Sequence, residues 1–539
     1  MNERFRSWQS RAAVVLALAI SGGWLLREAS TCKSDPPAEF TVTIVHLNDT
    51  YEITSLDNGH SGGLARVATL LKQLRHDSPP AYALHAGDFL SPSALGTAVV
   101  EGKRLSGKQM VAVLKAAGID YITFGNHEFD LPKDEFDDRI KEMWSASTNH
   151  CNLALLSDNV RDASHNPFPG VHSGEILKVE KTDSHPELHI GLLALTLDCS
   201  KACDSYATFD KPIDAAKARL LTWQRSEDKP DSVIALTHES LADDEKLARE
   251  VPGIDLIVGG HEHENTYRVP SHGLGETTFR IPPISRADAN ARTVYIHEMV
   301  FDNKTKHLKR VNSRLKAITE ALEEDPDTSN VVNKYREQAY AAFRAIGLDP
   351  AEKIATAHAV LDGHESIIRR TNTLLTDMIG EAMMHVPGDA KLPRVAVYAA
   401  GEVRIDDRIL PGPITMYDIL RVLPFEGKLW SVPVKGEWIV RILQNKNKGI
   451  GTGAFLQTRN VSLAGDANGA GWRVGNDPLS PDKTYELIVN DYLLAGHERG
   501  LDFFARLPQD GRRDLGDWRK VVRSYLLSVK GWPVPPVKQ

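Results

Sequence analysis

The strongest constraint on this chain is a pattern that recurs through its first half. A short apolar run ends on an aspartate, asparagine or histidine, and helix-forming stretches separate such runs. Residues 41–47 read as a strand and lead to Asn48-Asp49; residues 63–74 have helical spacing. Residues 81–85 lead to Gly87-Asp88, and residues 119–124 to Gly125-Asn126-His127-Glu128. The pattern returns at 188–196, at 232–237 before His238, and at 255–258 before Gly260-His261-Glu262-His263. Strands that alternate with helices specify an α/β architecture. In such sheets ligands gather beyond the carboxyl ends of the strands, where these polar residues fall.

The donor types point to a metal centre. Carboxylate, amide and imidazole ligands suit zinc, manganese, iron or cobalt. Asp88, central in the set, is the natural bridge between two divalent ions. His261 and His263 are alternate residues, so an extended backbone sends them to different ions. Two metals about 3.5–4 Å apart clamp a phosphoryl group and hold a hydroxide for in-line attack. Taken singly, each residue has a plainer explanation: an aspartate after a strand is usually a turn or cap residue. Their joint occurrence, each after a strand, carries the reading.

Composition narrows the partners. Charged residues make up 25% and hydrophobic residues 42% of the 539 residues, as in ordinary globular proteins. Lysine and arginine total 64 against 72 acidic residues, so the net charge is 64 − 72 = −8. That argues against a nucleic-acid polymer. A small anionic substrate stays compatible, because bound metal sets the local sign. A basic start followed by an apolar run at 12–26 reads as an export signal, with an uncleaved N-terminal membrane anchor as the alternative. The expected location is periplasmic, cell-surface or secreted. Of the four cysteines, Cys32, Cys151, Cys199 and Cys203, none forms a Cys-x-x-Cys pair. Cys199 and Cys203 either close a small disulfide loop or stay separate thiols.

The expected organisation is a signal or anchor and linker at 1–39, a first domain at 40–316, a polar interdomain helix at 317–348, a second domain at 349–532 and a tail at 533–539. In the second domain, residues 366–385 have amphipathic helical spacing, 395–398 and 485–490 read as strands, and 415–423 as a short helix capped by Thr415.

The series Asp49, Gly87-Asp88, Gly125-Asn126-His127-Glu128, Thr237-His238 and Gly260-His261-Glu262-His263 resembles the calcineurin-like metallophosphoesterases. Gly401-Glu402-Val403-Arg404, Pro411-Gly412-Pro413-Ile414-Thr415, Leu423-Pro424-Phe425 and Gly453-Ala454-Phe455-Leu456-Gln457 follow the order of the 5′-nucleotidase carboxyl-terminal domain. The resemblance implies a four-layer-type α/β sandwich followed by an α+β substrate-recognition domain. It implies metal-dependent hydrolysis of nucleotide phosphate monoesters. Cyclic phosphodiesters, nucleotide sugars and sulfur esters are the alternative substrates, and a noncatalytic metal- or nucleotide-binding protein is the alternative class. By the same resemblance, Asp49, Asp88 and His263 would hold the first metal, and Asp88, Asn126, His238 and His261 the second. His127 would stabilise charge on the transferred phosphoryl, oriented by Asp130. Arg404, Arg369 and Phe455 would bind the nucleotide or other small phosphate ester.

Three departures from the family pattern stand out. Where Asp-x-His is usual, this chain has Asp49-Thr50-Tyr51-Glu52, so the first metal lacks a histidine and Tyr51, Glu52 or water must complete it. The block Asn-x-Gly-Gly-x-Arg appears as Ala399-Ala400-Gly401-Glu402-Val403-Arg404, which adds a carboxylate. The second base-stacking aromatic is missing from Gly496-His497-Glu498-Arg499-Gly500-Leu501, unless Phe503 or Phe504 reaches in.

Overall fold

The computed structural model describes residues 37–78, 80–144, 153–199, 206–270, 281–388, 391–463 and 471–534. Strands β1 (Glu39–Leu47), β2 (Ala81–His85), β3 (Tyr121–Thr123) and β4 (Ala154–Leu156) pair in parallel, each with the next. A second set comprises β5 (Glu175–Val179), β6 (Leu188–Thr196), β7 (Ser232–His238), β8 (Leu256–Gly259), β9 (Thr266–Arg268) and β10 (Ile284–Arg286). The antiparallel pair β11 (Thr293–Asp302) and β12 (Leu308–Ala317) extends the first sheet beyond β1. The two six-stranded sheets run β12-β11-β1-β2-β3-β4 and β9-β10-β8-β7-β6-β5.

Alternation along the strands builds the layers. Val42 and Ile44 point into one buried cluster with Leu192, Ala194, Ile234 and Leu236, between the sheets. Val45 and Leu47, one residue out of phase, join the cluster that holds helices Leu64–Asp77 and Lys108–Ala117. Val233 and Ala235 likewise face helices Pro212–Arg225 and Leu241–Glu250. The period of two thus covers both faces of each sheet, giving helix, sheet, sheet, helix.

Helix Pro326–Ala345 starts on Asp325, whose carboxylate accepts from the Thr328 amide at 3.0 Å, with proline in the first turn. Its Val332, Tyr335, Ala339 and Phe343 join the core of the first-domain helices. The same core continues into the second domain through Ile354, Leu375, Tyr398 and Trp518. That domain is a five-stranded sheet in the order Leu456–Arg459, Arg394–Ala399, Thr484–Asn490, Lys428–Lys435 and Arg513–Asp517. Helices Leu374–Met384 and Gly436–Asn445 accompany it. No described helix is long and apolar enough to cross a membrane; the apolar run at 12–26, Cys32, Cys151 and Cys203 lie outside the described residues. Cys199 is disulfide-bonded.

Candidate active site

The carboxyl ends of both parallel strand sets meet at one place. Asp49 follows β1, Asp88 follows β2, His127 follows β3, His238 ends β7, and His261 follows β8. Asp49, Asp88 and His261 have positive φ, at 48°, 57° and 82°. Few residues tolerate this conformation unless the surroundings hold it, and such strain clusters at functional sites. The flanking glycines are required by crowding. A Cβ on Gly125 would lie 2.0 Å from Asp88 Oδ1, and one on Gly87 would lie 2.5 Å from the Gly125 amide. Glu128 clamps these turns: its carboxylate accepts from the amides of Asp88, Phe89 and Leu90 at 3.0, 2.7 and 3.0 Å.

Asp49, Asp88 and His238 are fully buried and place ligand atoms within 4.8 Å of one another. His238 Nδ1 lies 2.7 Å from the Ala86 carbonyl, which makes it the donor and turns Nε2 to Asp88 Oδ2 at 3.3 Å. Burial opposes charge on His238, but Asp88 and Asp49 outweigh it and push its pKa up to about 10. A cation is therefore favoured at the spot where His238 carries a proton, and this donor set fits a divalent metal. His261 donates its amide to Asp49 Oδ2 at 2.9 Å, and its ring lies 5.4 Å from that of His238. Burial, with His238 beside it, pulls His261 down to about 4, leaving a neutral imidazole fit to ligate. Asn126 lines the adjoining cleft.

His263 Nε2 lies 3.4 Å from Asp49 Oδ1, and its Nδ1 is ion-paired with Asp406 of the second domain. The Tyr51 hydroxyl stands among these groups: 3.0 Å from Asp88 Oδ2, 3.1 Å from His263 Nε2 and 3.5 Å from Asp49 Oδ1. Burial, then Asp88 and Asp49, push its phenol well above the ordinary value, so it is a neutral donor. Glu52 is not in the buried donor group of Asp49, Asp88 and His238. It points to the second domain, where Arg421 and the Tyr417 hydroxyl hold it at 3.3 and 2.5 Å. Glu52 is thus corrected from a candidate ligand to an interdomain contact.

His127 Nδ1 meets Asp130 Oδ2 at 2.6 Å, and the His127 amide donates to Asp88 Oδ1 at 2.9 Å. Burial opposes protonation of His127, but Asp130 and Asp88 raise its pKa overall. From the second domain, Arg404 reaches within 3.4 Å of His127 Nδ1 and 3.7 Å of Asp130 Oδ2, with its side chain 12% exposed. Glu365 pairs with both Arg404 and Arg369.

His127, Asp130, His261, Glu365, Arg369 and Arg404 line a cleft of about 730 Å³ between the domains. Its aromatic walls were not the ones anticipated. Phe455 is 2% exposed, lies under the Lys446 ammonium and is not among the lining residues. Phe503 and Phe504 are buried in the second-domain core. The aromatic side chains that line the cleft with large exposure are Phe425, at 47%, and Tyr492, at 45%. Phe425 closes the Leu-Pro-Phe block, and Tyr492 follows the strand Thr484–Asn490 by two residues. Their exposure was the signal, and it is invisible in sequence.

Comparison with known proteins settles the family. Residues 42–265 match the calcineurin-like phosphoesterase model and residues 353–506 the 5′-nucleotidase C-terminal domain model. The chain is a 5′-nucleotidase-like metallophosphoesterase. It is similar to Protein UshA of Yersinia enterocolitica, 25% identical over 92% of this chain and 91% of that protein. It is also similar to the snake venom 5′-nucleotidase of Crotalus adamanteus, 25% identical over 85% of this chain and 81% of that one. Its fold resembles that of a 5′-nucleotidase precursor from Thermus thermophilus, with a TM-score of 0.67, 23% identity, and coverage of 91% of this chain and 97% of that one. As a member of this group the metallophosphoesterase is a hydrolase, and the group implies divalent metals.

Proposed function

We propose that this hydrolase cleaves the phosphate monoester of nucleoside 5′-monophosphates. The observation that carries the reading is a single cleft with two unlike parts: His127, Arg404 and Arg369 beside the metal donors, and the exposed rings of Phe425 and Tyr492. The names of the similar proteins support it.

Asp49, Asp88 and His263 would hold one divalent ion, and Asp88, Asn126, His238 and His261 a second; zinc, manganese, iron and cobalt fit these donors. Bound there, the ions supply Lewis acidity at the phosphoryl oxygens and acidify the attacking water. Asp130 holds Nδ1 of His127 at 2.6 Å, which leaves Nε2–H as the free donor. Charged His127 places that proton toward an oxygen that gains charge as the ester bond breaks. Arg404 offers a guanidinium fork to the phosphate. Phe425 and Tyr492 give a base its stacking surfaces, worth about 1–3 kcal/mol per stacked base. Residues 40–316 do the chemistry, residues 349–532 recognise the substrate, and the N-terminal pattern sends the chain out of the cytoplasm.

The test is phosphate release from AMP, UMP, UDP-glucose, 2′,3′-cyclic AMP and bis-p-nitrophenyl phosphate, with and without chelator. Chelator-sensitive release from the two monophosphates at the highest kcat/KM is expected. Preference for the cyclic phosphate, the nucleotide sugar or the diester would replace this reading.

A further inference from the structure

Part of the cleft wall is built from hydrogen-bond acceptors, and one of them, the Asn490 amide oxygen, has no partner among the described residues. Asn490 ends the strand Thr484–Asn490, is 1% exposed and lines the cleft. Its side chain is hydrogen-bonded to Glu402, while its Oδ1 has no partner among the described residues. Glu402, Asp491 and Glu498 line the same wall. Burial pushes the Glu402 carboxyl up to about 7, Glu498 and Asp491 add to the rise, and the Asn490 bond and Arg404 work against it. A bare carboxylate is therefore costly at this place until a donor reaches it. Both Glu402 and Glu498 also raise the Tyr492 phenol, after burial, which puts them beside a ring that would stack on a base.

The family block carries glycine where this chain has Glu402, so the carboxylate is a feature of this cleft. A base stacked on the exposed Tyr492 ring has its in-plane edge within reach of Glu402 and Glu498, the two carboxyl groups that act on that phenol. The wall's oxygens accept hydrogen bonds: the Asn490 amide oxygen and the two glutamate carboxylates when ionised. Adenine sets a lone pair at N1 against such acceptors. Guanine sets two neighbouring donors there, N1–H and the N2 amino group.

We infer that Glu402 and Asn490 make this cleft selective for a guanine base, read by its adjacent N1–H and N2 amino donors. The inference rests on the nucleotide reading above. A site that meets N–H donors with buried acceptors rejects an analogue without them, because its acceptors are then left unpaired.

The experiment compares kcat/KM for GMP, IMP, AMP and 2′-deoxy-GMP on the full metal-loaded chain, in the wild type, Glu402→Gln and Glu402→Gly. The order GMP above IMP above AMP is expected, with a GMP-to-AMP ratio of about tenfold or more. That ratio should fall toward one in both variants. Because the readout is a ratio, a general loss of activity cancels. A flat base order in the wild type, or a ratio that survives both substitutions, overturns the inference. A penalty confined to 2′-deoxy-GMP overturns it too, by assigning the acceptors to the ribose. Binding of guanosine and adenosine by titration calorimetry decides the base question even if no mononucleotide is turned over. Absence of turnover with tighter guanosine binding would sink the hydrolytic reading and leave the base selectivity standing.

Discussion

At residue scale the proposed roles divide between two neighbours in one turn, Asn126 as a metal ligand and His127 as the proton donor. The His127 ring faces Asp130 and Arg404 and its amide donates to Asp88, but its side chain is not part of the buried donor group of Asp49, Asp88 and His238. His127→Ala should therefore lower turnover of a phosphomonoester by about 10²-fold or more with metal content unchanged. Atomic absorption and steady-state rates on the same preparation check both halves, and loss of metal together with activity would contradict the division. Tyr51 allows a second prediction. Its hydroxyl lies within 3.5 Å of Asp49, Asp88 and His263, where a histidine would add a ligand. As a neutral phenol it is a poor donor to zinc or manganese. The wild type should bind one metal tightly and the other weakly in a chelator titration, and Tyr51→His should tighten the weaker step. Two equally tight ions, unaffected by the substitution, would make Tyr51 a bystander.

At the scale of elements, the strands that carry the site also store a pH dependence. His46 on β1 and His297 on β11 are fully buried, and their rings lie 6.0 Å apart. Burial pulls His297 down to about 3, and burial with His297 beside it pulls His46 well below its ordinary value. The folded chain thus refuses protons that the unfolded chain accepts. Stability from this source is complete above the unfolded value near pH 6.5 and declines as the pH falls toward 3. The slope is about 1.4 kcal/mol per pH unit for each such histidine. His297→Gln, which keeps a side-chain amide for Ser285 and Ser313, should flatten the fall in urea midpoint between pH 6.5 and pH 4.5 by about one proton's worth. An unchanged slope would show that His297 does not contribute.

At the scale of the whole molecule, buried ion pairs join the domains beside the cleft. Arg421 of the second domain lies 3.3 Å from Glu52 of the first and 3.0 Å from Asp407, and Asp407 also meets Arg292 of the first domain at 2.7 Å. Removing one member of such a set strands the others, at a cost of about 3–5 kcal/mol, whereas replacing a pair with apolar or neutral groups costs less. Arg421→Ala should lower the melting temperature and speed cleavage between the domains in limited proteolysis. Arg421→Met with Glu52→Gln should recover much of the loss. A double variant no better than Arg421→Ala would show that the contact works by shape and not by charge. Asp406 crosses the same boundary to pair with His263, so the second domain bears directly on a residue proposed as a metal ligand in the first.

Sequence alone determined the α/β class, the succession of strand ends and the chemistry of the donor set. The reason is local: alternation along a strand and a polar residue at its end are properties of a few consecutive residues, as at Val42 to Asp49. It also exposed Tyr51 and Glu402 as departures, because each sits inside a recognisable block. Tertiary structure alone decided where long side chains go. Glu52 and Tyr51 are adjacent, yet one turns to Arg421 and the other to Asp88. Phe455 and Phe425 belong to similar-looking blocks, yet one is sealed in the core and the other is open to the cleft. Such choices depend on which partner the opposite domain presents, Tyr417 and Arg421 to Glu52 or Asp406 to His263, and those partners are far away in the chain.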